Sequence, residues 1–322
     1  METVLVTGAT GFIGSHLVES LLKQNYKVYC LVRNKSILKW LKKVPVEIVE
    51  GDCESPSLKL PHVDFVFHLA GRIKAKEPVS FYKTNLYGTI NLLRIISKQR
   101  PFVKKFVFVS TLAVHGKDDT KIIRPEHSPY PRSHYAKSKW LAEQAVLAYK
   151  GTFPVVIFRP TAIYGPRDKE FLSYIKCIKH GIAPVLNSKG ILSFCYISDL
   201  VNFLIASIQK EIPSGKAFLV SDGQAYTWKQ AILNIAEALG KHPLILNIPK
   251  PLTMTMAFGF QNISHLLNQP FIFSCDKLKE VFQKSWFCDI SQSCNFLDYV
   301  PQYDFKKGIK RTIHWYQKQG WL

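Results

Sequence analysis

The sequence lacks the features that mark several other classes of protein. It contains no uninterrupted apolar run of the length that a membrane span needs, so we expect no integral membrane segment. Its seven cysteines are odd in number and form no close pair, which argues against a disulfide framework or a zinc site and favours a reducing compartment. A strand pattern begins almost at Met1, so no signal peptide is expected. We therefore expect no metal and a cytoplasmic location.

Acidic residues are also scarce. The chain has 23 Asp and Glu against 43 Lys and Arg, which gives a formal net charge of +20 and raises the question of a nucleic-acid partner. The basic residues are scattered, however, and no stripe of them alternates with stacking aromatics. We expect a lysine-rich solvated surface and no nucleic acid. The electrostatic field of this positive surface would attract a polyanionic cofactor. Weak attraction of the protein to anionic membrane surfaces stays open as a second interpretation.

The first half of the chain contains a repeated alternation of strand and helix patterns. Helical spacing runs from Phe12 to Asn25 and again near 79–99 and 133–149. The predicted strands are Thr3 to Thr7, Val28 to Val32, Val46 to Glu50, Asp64 to His68, Lys105 to Ser110 and Val155 to Arg159. Such repeated units predict an α/β fold, a Rossmann-type doubly wound parallel sheet with helices on both faces.

The pattern changes after Arg159, where loops lengthen and prolines interrupt. A helix near 198–210 is expected to return to the first layer, and Thr227 with Gln230 forms a predicted capping box before a helix that Gly240 ends. We assign the domains as follows: 1–165 and 194–211 form a dinucleotide-binding domain, and 166–193 and 212–322 form a smaller, discontinuous substrate-binding domain.

Gly8, Gly11 and Gly14 are spaced three apart between the first strand and the first helix. Gly8 permits a tight turn, Gly11 lets the backbone approach a pyrophosphate, and Gly14 lets helix and strand pack closely. The helix N-terminus adds N–H donors and the positive end of the helix dipole. The spacing is not that of the older GxGxxG fingerprint, but between a strand and an amphipathic helix it predicts a dinucleotide-phosphate loop.

The residues after the second strand indicate which dinucleotide binds. An acid there would bind the 2′-hydroxyl of NAD, but Val28–Ser36 contains no carboxylate, and Arg33 could bind a 2′-phosphate. We therefore predict NADP, with NAD as the alternative. Asp52, just past the third strand, suits the adenine amino group. The competing interpretations are a solvated Arg33 and an Asp52 that only caps a turn.

Tyr135 and Lys139 stand four residues apart on a predicted helix, so their side chains share one face. A free phenol has a pKa of about 10, and a neighbouring ammonium lowers it by roughly 1–3 pH units. The pair therefore predicts a general acid/base. Thr111 follows the strand that ends at Val109, and its hydroxyl can hold a substrate oxygen beside the phenol.

These residues occur in the order found in a known superfamily. The chain resembles the extended short-chain dehydrogenase/reductase superfamily, also called the NAD(P)-dependent epimerase/dehydratase family, over essentially its whole length. The resemblance is carried by Thr7-Gly8-Ala9-Thr10-Gly11-Phe12-Ile13-Gly14, His68-Leu69-Ala70-Gly71, Asn85 before Gly88-Thr89, Ser110-Thr111, Tyr135-x-x-x-Lys139, Arg159-Pro160-Thr161-Ala162-Ile163-Tyr164-Gly165-Pro166 and Tyr196-Ile197-Ser198-Asp199.

The resemblance implies a role for each motif. Tyr135 would be the acid/base, Lys139 would bind the nicotinamide ribose and tune the phenol, Thr111 would orient the substrate, and Asn85 would help to organise the site. Two residues depart from the usual pattern: Thr111 replaces the commoner Ser, and His115 stands where many relatives have Tyr. Together, these arguments assign cofactor contacts to Gly8, Thr10, Gly11, Phe12, Ile13, Gly14, Arg33, Asp52, Cys53, Leu69, Ala70, Gly71, Val109, Ser110, Tyr135, Lys139, Arg159, Pro160 and Ile163.

Two sequence features favour one branch of the superfamily. Leu112-Ala113 follow Thr111 where dehydratases usually carry Asp-Glu, which argues against 4,6-dehydration, and Val32-Arg33 argues against an NAD-holding epimerase. The chain is more similar to dihydroflavonol-reductase and 3β-hydroxysteroid-dehydrogenase members. We predict an enzyme that interconverts a secondary alcohol and a ketone on a small apolar substrate. The alternatives are a nucleotide-sugar epimerase or reductase, and a non-catalytic NADP-binding sensor.

Two further expectations concern the substrate and the assembly. Pro251–Phe273 contains no Asp, Glu, Lys or Arg, so Met254, Met256 and Phe258 either line an apolar substrate cleft or belong to an ordinary packed helix. The resemblance implies a homodimer through two helices of each subunit. The apolar positions considered for that interface are Leu92, Leu93, Ile96, Leu141 and Val146.

Overall fold

The structure is a computed structural model, and it describes residues 1–33, 38–99, 101–116, 121–255, 257 and 275–322. Its centre is a seven-stranded sheet formed by β1 (Thr3–Thr7), β2 (Lys27–Val32), β3 (Glu47–Glu50), β4 (Phe65–His68), β5 (Lys105–Val109), β6 (Val155–Pro160) and β11 (Lys216–Val220). All neighbouring strands run parallel, in the order β11-β6-β5-β4-β1-β2-β3. The α/β, Rossmann-type prediction is confirmed.

Ten α-helices have described bounds. They are α1 (Phe12–Lys23), α2 (Val79–Phe81), α3 (Gly88–Ile96), α4 (His134–Leu147), α5 (Lys169–Lys179), α6 (Ile197–Gln209), α7 (Trp228–Leu239), α8 (Cys275–Val281), α9 (Ser291–Leu297) and α10 (Phe305–Lys318). Within the ranges given above, no helix is both long and apolar enough to cross a bilayer.

Successive side chains of each strand point to opposite faces of the sheet, and these side chains are buried on both faces because helices cover both. Val4 and Val6 of β1 point into one apolar cluster, which α1 and α6 complete, whereas Leu5 points into the opposite cluster with side chains of α3 and α4. Helix α6 therefore returns to the first layer, as predicted. Short strand pairs lie outside the main sheet: β7 (Ala162–Tyr164) with β10 (Phe194–Tyr196), β8 (Ile182–Val185) with β13 (Leu244–Asn247), and β9 (Ile191–Leu192) with β12 (Tyr226–Thr227).

One domain boundary needs correction. The sequence analysis places residues 212–322 in the substrate-binding domain, but Lys216–Val220 forms the outer strand of the main sheet, paired in parallel with β6. Its buried apolar end, Phe218 to Val220, packs with the sheet core. We propose that the second domain resumes after Val220.

The capping signals read from the sequence are present. Thr227 Oγ1 accepts a hydrogen bond from Gln230 N (3.2 Å), and the Gln230 side chain accepts from Thr227 N (2.8 Å). Gly240 closes α7 in the left-handed conformation, with a φ of +62°. Both ends of this helix therefore follow from local chemistry.

Candidate active site

The glycine loop joins β1 to α1 and leaves no room for side chains. Gly8 has a φ of +71°, and a Cβ there would lie 2.8 Å from the backbone nitrogen of Ala70. A Cβ on Gly14 would lie 2.2 Å from the carbonyl oxygen of Gly8. Gly11 is the N-cap of α1, where no side chain caps the helix and the first turn holds no acid. The loop is therefore a close-packed cradle at the positive end of a helix, which suits a diphosphate.

The other predicted cofactor contacts lie at the same edge of the sheet, because the carboxyl ends of parallel strands meet there. They are Thr10, Phe12 and Ile13 in the glycine loop, Leu69 and Gly71 after β4, Val109 at the end of β5, and Pro160 and Ile163 at the end of β6 and in β7. Two buried hydroxyls at this edge, Ser110 Oγ and Thr161 Oγ1, have no hydrogen-bond partner within the described chain. The glycine cradle and these hydroxyls fit a bound dinucleotide. Thr161 was not among the predicted contacts.

Arg33, Asp52 and Cys53 come together beyond β2 and β3. Burial raises the pKa of the Cys53 thiol to about 12, the Asp52 carboxylate adds to this effect and the Arg33 guanidinium opposes it. Arg33 is exposed. Asp52 accepts a hydrogen bond from Glu54 N (3.0 Å) and thereby caps its own turn, as the competing interpretation expects.

A buried hydrogen-bond chain connects the phosphate loop to the rest of the site. Burial lowers the pKa of His68 to about 3, so its ring is neutral. Thr89 Oγ1 donates to the carbonyl of Asn85 (2.7 Å), and therefore accepts from His68 Nε2 (2.8 Å). His68 Nδ1 then accepts from Thr7 Oγ1 (2.7 Å), which accepts from Ala70 N (3.1 Å). The network assigns the His68 tautomer and fixes the end of β4.

Asn85 lies in a π-helical turn, Tyr82–Tyr87, which interrupts the continuous helix predicted for this region. Its Oδ1 accepts from Arg72 N (2.7 Å), and its Nδ2 donates to Arg72 O (3.1 Å) and to Ser138 Oγ (2.9 Å). Ser138 Oγ donates in turn to the carbonyl of Tyr135 (2.7 Å). The wider turn thus holds the Asn85 amide against the helix that carries Tyr135, a use typical of π-helical turns.

Tyr135 lies in the first turn of α4, and its phenol lies beside the Thr111 hydroxyl. Thr111 Oγ1 accepts from Ala113 N (3.2 Å), which leaves the hydroxyl proton available to the phenol. Burial raises the pKa of Tyr135, while Lys277 and the Thr111 hydroxyl act in the opposite direction. The expectation of a phenol pKa below its ordinary value is therefore not met, because the cost of burying the phenolate outweighs the neighbouring cation.

Lys139 lies one turn further along α4. Its Nζ is 4.1 Å from the centre of the Phe108 ring, and a Cβ on Gly71 would lie 3.9 Å from the same nitrogen. Burial lowers the pKa of Lys139 to about 7, against the opposing field of Glu143. Burial thus brings the pKa of Lys139 close to neutral pH, at a position beside Gly71.

Arg159 holds a buried ion pair with Glu143 of α4. Its Nη2 is 2.6 Å from Glu143 Oε2, and its Nε donates to both carboxylate oxygens at 3.1 and 3.2 Å. Its Nη1 donates to His115 Nε2 (2.8 Å). Every guanidinium nitrogen therefore has a protein partner, which holds this side chain in place. The contact of Arg159 with the cofactor stays a prediction.

His115 is buried rather than directed at a substrate. Burial lowers its pKa to about 3, with Arg159 adding to the effect, and its Nδ1 has no partner within the described chain. By accepting a hydrogen bond from Arg159, His115 thus helps to hold the Arg159–Glu143 pair in place. Sequence reasoning missed this pair, although Glu143 stands four residues after Lys139 and shares its helix face.

Sequence reasoning also missed helix α8, which lies beside the N-terminus of α4. Ser133 Oγ donates to Glu280, and Lys277 lies 5.8 Å from the centre of the Tyr135 ring. These residues are more than a hundred positions apart in the chain, and no motif marks α8. No signal in the sequence could have placed it here.

The other expectations have mixed outcomes. Met254 is 41% exposed, whereas Met256 and Phe258 lie outside the described residues, so the substrate-cleft interpretation stays a prediction. Leu92, Leu93, Ile96 and Val146 are buried in the core of one protomer and cannot form a subunit interface. Among the described residues, no group of three or more His, Cys, Asp or Glu could hold a metal ion.

Comparisons with known proteins identify the family. The model of the NAD dependent epimerase/dehydratase family matches residues 4–221. A ceramide reductase from Caulobacter vibrioides is 28% identical, with 99% of this chain and 96% of that protein covered. A UDP-glucose 4-epimerase from Vibrio cholerae is 30% identical, with 97% of this chain and 94% of that protein covered.

Similar solved structures agree with the fold. A UDP-glucuronic acid 4-epimerase from Bacillus cereus, in complex with NAD, has a TM-score of 0.80 at 21% identity and covers 98% of this chain and 99% of its own. The chain belongs to the NAD dependent epimerase/dehydratase family. It is an NAD(P)-dependent enzyme of the extended short-chain dehydrogenase/reductase type.

Proposed function

We propose that this enzyme transfers a hydride between NADP and one carbon of a secondary alcohol or ketone, with Tyr135 as the acid/base. The observation that carries the proposal is the placement of the Thr111 hydroxyl beside the Tyr135 phenol, with Lys139 one turn along the same helix beside Gly71. Thr111 and Tyr135 would hold the reacting oxygen, and Asn85 would fix the helix through Ser138. Bound NADP would supply or accept the hydride.

The environment of the phenol favours the reductive direction. Because burial raises the pKa of Tyr135, the phenol is protonated at neutral pH and can donate its proton to a ketone oxygen as that oxygen gains negative charge. Oxidation of the alcohol needs the phenolate, which becomes available only as the pH rises through that pKa. We therefore propose that ketone reduction is the neutral-pH reaction.

The preference for NADP is also a proposal, and it depends on Arg33. We expect Arg33→Ala to weaken NADP binding by about tenfold and to leave NAD binding unchanged, because only NADP carries the 2′-phosphate that the guanidinium would bind. Calorimetric titration of both cofactors measures this. Arg311→Ala, which removes an exposed arginine on α10, is the control.

One acidic residue at the end of β3 would instead favour NAD over NADP. Glu50 of β3 lies opposite Val32 of β2 and is the acid that could bind the 2′-hydroxyl of NAD. The Bacillus cereus structure of the same fold contains NAD. Tighter binding of NAD than of NADP by the wild-type protein would contradict the proposal.

For the substrate, we propose a sterol-like, flavonoid-like or lipid-like ketone. Leu112 and Ala113, which follow Thr111, are buried apolar residues, so they provide no acid or base there for eliminating water from a sugar. The similarity to a ceramide reductase over nearly the full length of both chains supports a lipid-like body. We expect hydrophobic ketones to compete strongly for the site of the NADP-loaded enzyme, and UDP or dTDP to compete weakly.

A nucleotide sugar is the second candidate, and the names of the relatives favour it. The Vibrio cholerae relative is a UDP-glucose 4-epimerase, and other relatives are named as dTDP-D-glucose 4,6-dehydratases. In an epimerase the same Tyr135 and cofactor would oxidise and then re-reduce one sugar carbon. Tight binding of UDP or dTDP in the competition measurement would establish this candidate and overturn the first.

The location and the assembly also remain proposals. Six cysteines have free thiols, which supports a reducing compartment such as the cytoplasm; they are Cys30, Cys53, Cys177, Cys195, Cys288 and Cys294. A homodimer through α3 and α4 could use the exposed Ile90 of α3 and Tyr87 just before it, since the apolar residues first considered are mostly buried.

A further inference from the structure

Helix α8 is anchored to the first turn of α4 by two acidic side chains. Asp276 Oδ2 accepts a hydrogen bond from His134 N (2.8 Å), and Glu280 accepts one from the Ser133 hydroxyl. Carboxylates at the N-terminus of a helix are stabilised by its free N–H groups and its dipole. This contact places α8 beside Tyr135.

The same anchor holds a cation at the phenol. Lys277 Nζ lies 2.5 Å from Glu280 Oε2 and 5.8 Å from the centre of the Tyr135 ring. The Glu280 side chain is only 8% exposed, whereas that of Lys277 is 46% exposed. A buried carboxylate, itself fixed to Ser133, therefore sets the position of the ammonium group of a half-exposed side chain.

The charges around the phenol come from two helices. On α4, Lys139 packs on the Phe108 ring, and burial lowers its pKa to about 7, so its charge at neutral pH is partial. On α8, burial lowers the pKa of Lys277, but Glu280, Tyr135 and Asp276 more than offset this and raise it overall, so Lys277 is charged at neutral pH.

Two charged side chains of α8 shift the pKa of the Tyr135 phenol in opposite directions. Lys277 lowers the pKa of Tyr135 and Glu280 raises it, while burial is the largest influence and raises it. His134, the neighbour of Tyr135 on α4, bonds the Tyr82 hydroxyl through its Nδ1 (3.0 Å).

We propose that Lys277 is a positioning residue that holds a permanent positive charge at the Tyr135 phenol, so that α8 completes the active site. The proposal rests on the proposed function of Tyr135 as the acid/base. It assigns to Lys277 part of the electrostatic role that the sequence motif gives to Lys139 alone.

The ionisation of Tyr135 tests the proposal without any substrate. Tyrosine labelled with ¹³C at Cζ is titrated by NMR in the full chain, and Tyr135→Phe assigns the signal. We expect Lys277→Met to lower the ionisation constant of Tyr135 by about tenfold, the low end for a cation near a phenol, because Lys277 is half-exposed. Lys277→Arg, which keeps the charge, should restore the wild-type value.

Lys279→Met is the matched control. Lys279 is on the same helix, its side chain is 50% exposed, and its Nζ pairs with Asp276 Oδ1 (3.2 Å), so the change in net charge is the same. It should leave the Tyr135 titration close to that of the wild type. Lys277→Gln is a second neutral variant, measured in the same way, in case Lys277→Met does not fold.

The outcomes separate this proposal from the proposed function. Equal titration midpoints in the neutral Lys277 variants and in Lys279→Met would overturn the role of Lys277. A shifted midpoint, together with turnover that survives Tyr135→Phe, would support the placement of the charge and refute the acid/base role of Tyr135.

Discussion

Tyr135→Phe is expected to lose roughly 10²- to 10⁴-fold in turnover, the usual contribution of a general acid/base. The substitution removes the hydroxyl that lies beside Thr111 and keeps the ring, which packs 6.1 Å from the Phe81 ring. The cradle formed by the glycine loop is untouched, so the cofactor should bind as in the wild type. Turnover is measured with ketones that bind in the competition assay, and cofactor affinity by calorimetry.

Tyr82→Phe is the matched control for this variant. The Tyr82 hydroxyl bonds His134 Nδ1 (3.0 Å) on the same helix, so its removal is the same chemical change beside α4 but away from Thr111. Turnover in Tyr82→Phe should stay within a few-fold of the wild type. Turnover by Tyr135→Phe equal to that of this control would move the proton transfer to another group.

Glu143→Gln is expected to destabilise the fold by about 3–5 kcal/mol, because it leaves the buried Arg159 charge without its counterion. The amide keeps the shape of the carboxylate, so the loss reports on charge rather than on packing. The free energy of unfolding is measured by urea denaturation. The variant should also lower the pKa of Lys139 further, since Glu143 raises it in the wild type.

The exposed pair of Lys306 and Glu237 provides the comparison. Its charged atoms lie 2.8 Å apart, but both side chains are 62% exposed, so solvent screens the attraction. Glu237→Gln should leave the unfolding free energy almost unchanged. A Glu143→Gln variant as stable as Glu237→Gln would show that the buried pair does not support the sheet end where Arg159 lies.

The central sheet could be predicted from the sequence because its signals are local. Apolar runs such as Val28 to Val32 identify strands, and the glycine spacing identifies the phosphate loop. The strand Lys216–Val220 was assigned to the wrong domain, because a short apolar run does not show which sheet it joins. The edge strand is set by pairing with β6, a contact between distant residues.

The candidate site was predictable where motifs carry it and not where tertiary contacts do. Tyr135, Lys139 and Thr111 come from spacing and from the resemblance, and the structure brings Tyr135 and Thr111 into contact. The pairing of Arg159 with Glu143 depends on the approach of β6 to α4. The approach of Lys277 to Tyr135 depends on a helix far along the chain.

The raised pKa of the Tyr135 phenol could not be predicted from the sequence, because it too depends on tertiary contacts. A motif shows that an ammonium lies on the same helix, but the extent of burial around the phenol is a property of the whole fold. Because burial dominates, the phenol is a stronger candidate for a neutral-pH acid than for a base.

Transfer of deuterium from NADPH labelled at the transferable nicotinamide position tests the central claim most directly. The wild-type enzyme is incubated with labelled NADPH and the hydrophobic ketones, and mass spectrometry locates the label in the products. We predict deuterium at the carbinol carbon in the wild type, and a loss of this transfer by roughly 10²- to 10⁴-fold in Tyr135→Phe. Products without the label, or equal transfer by the wild type and Tyr135→Phe, would contradict the account.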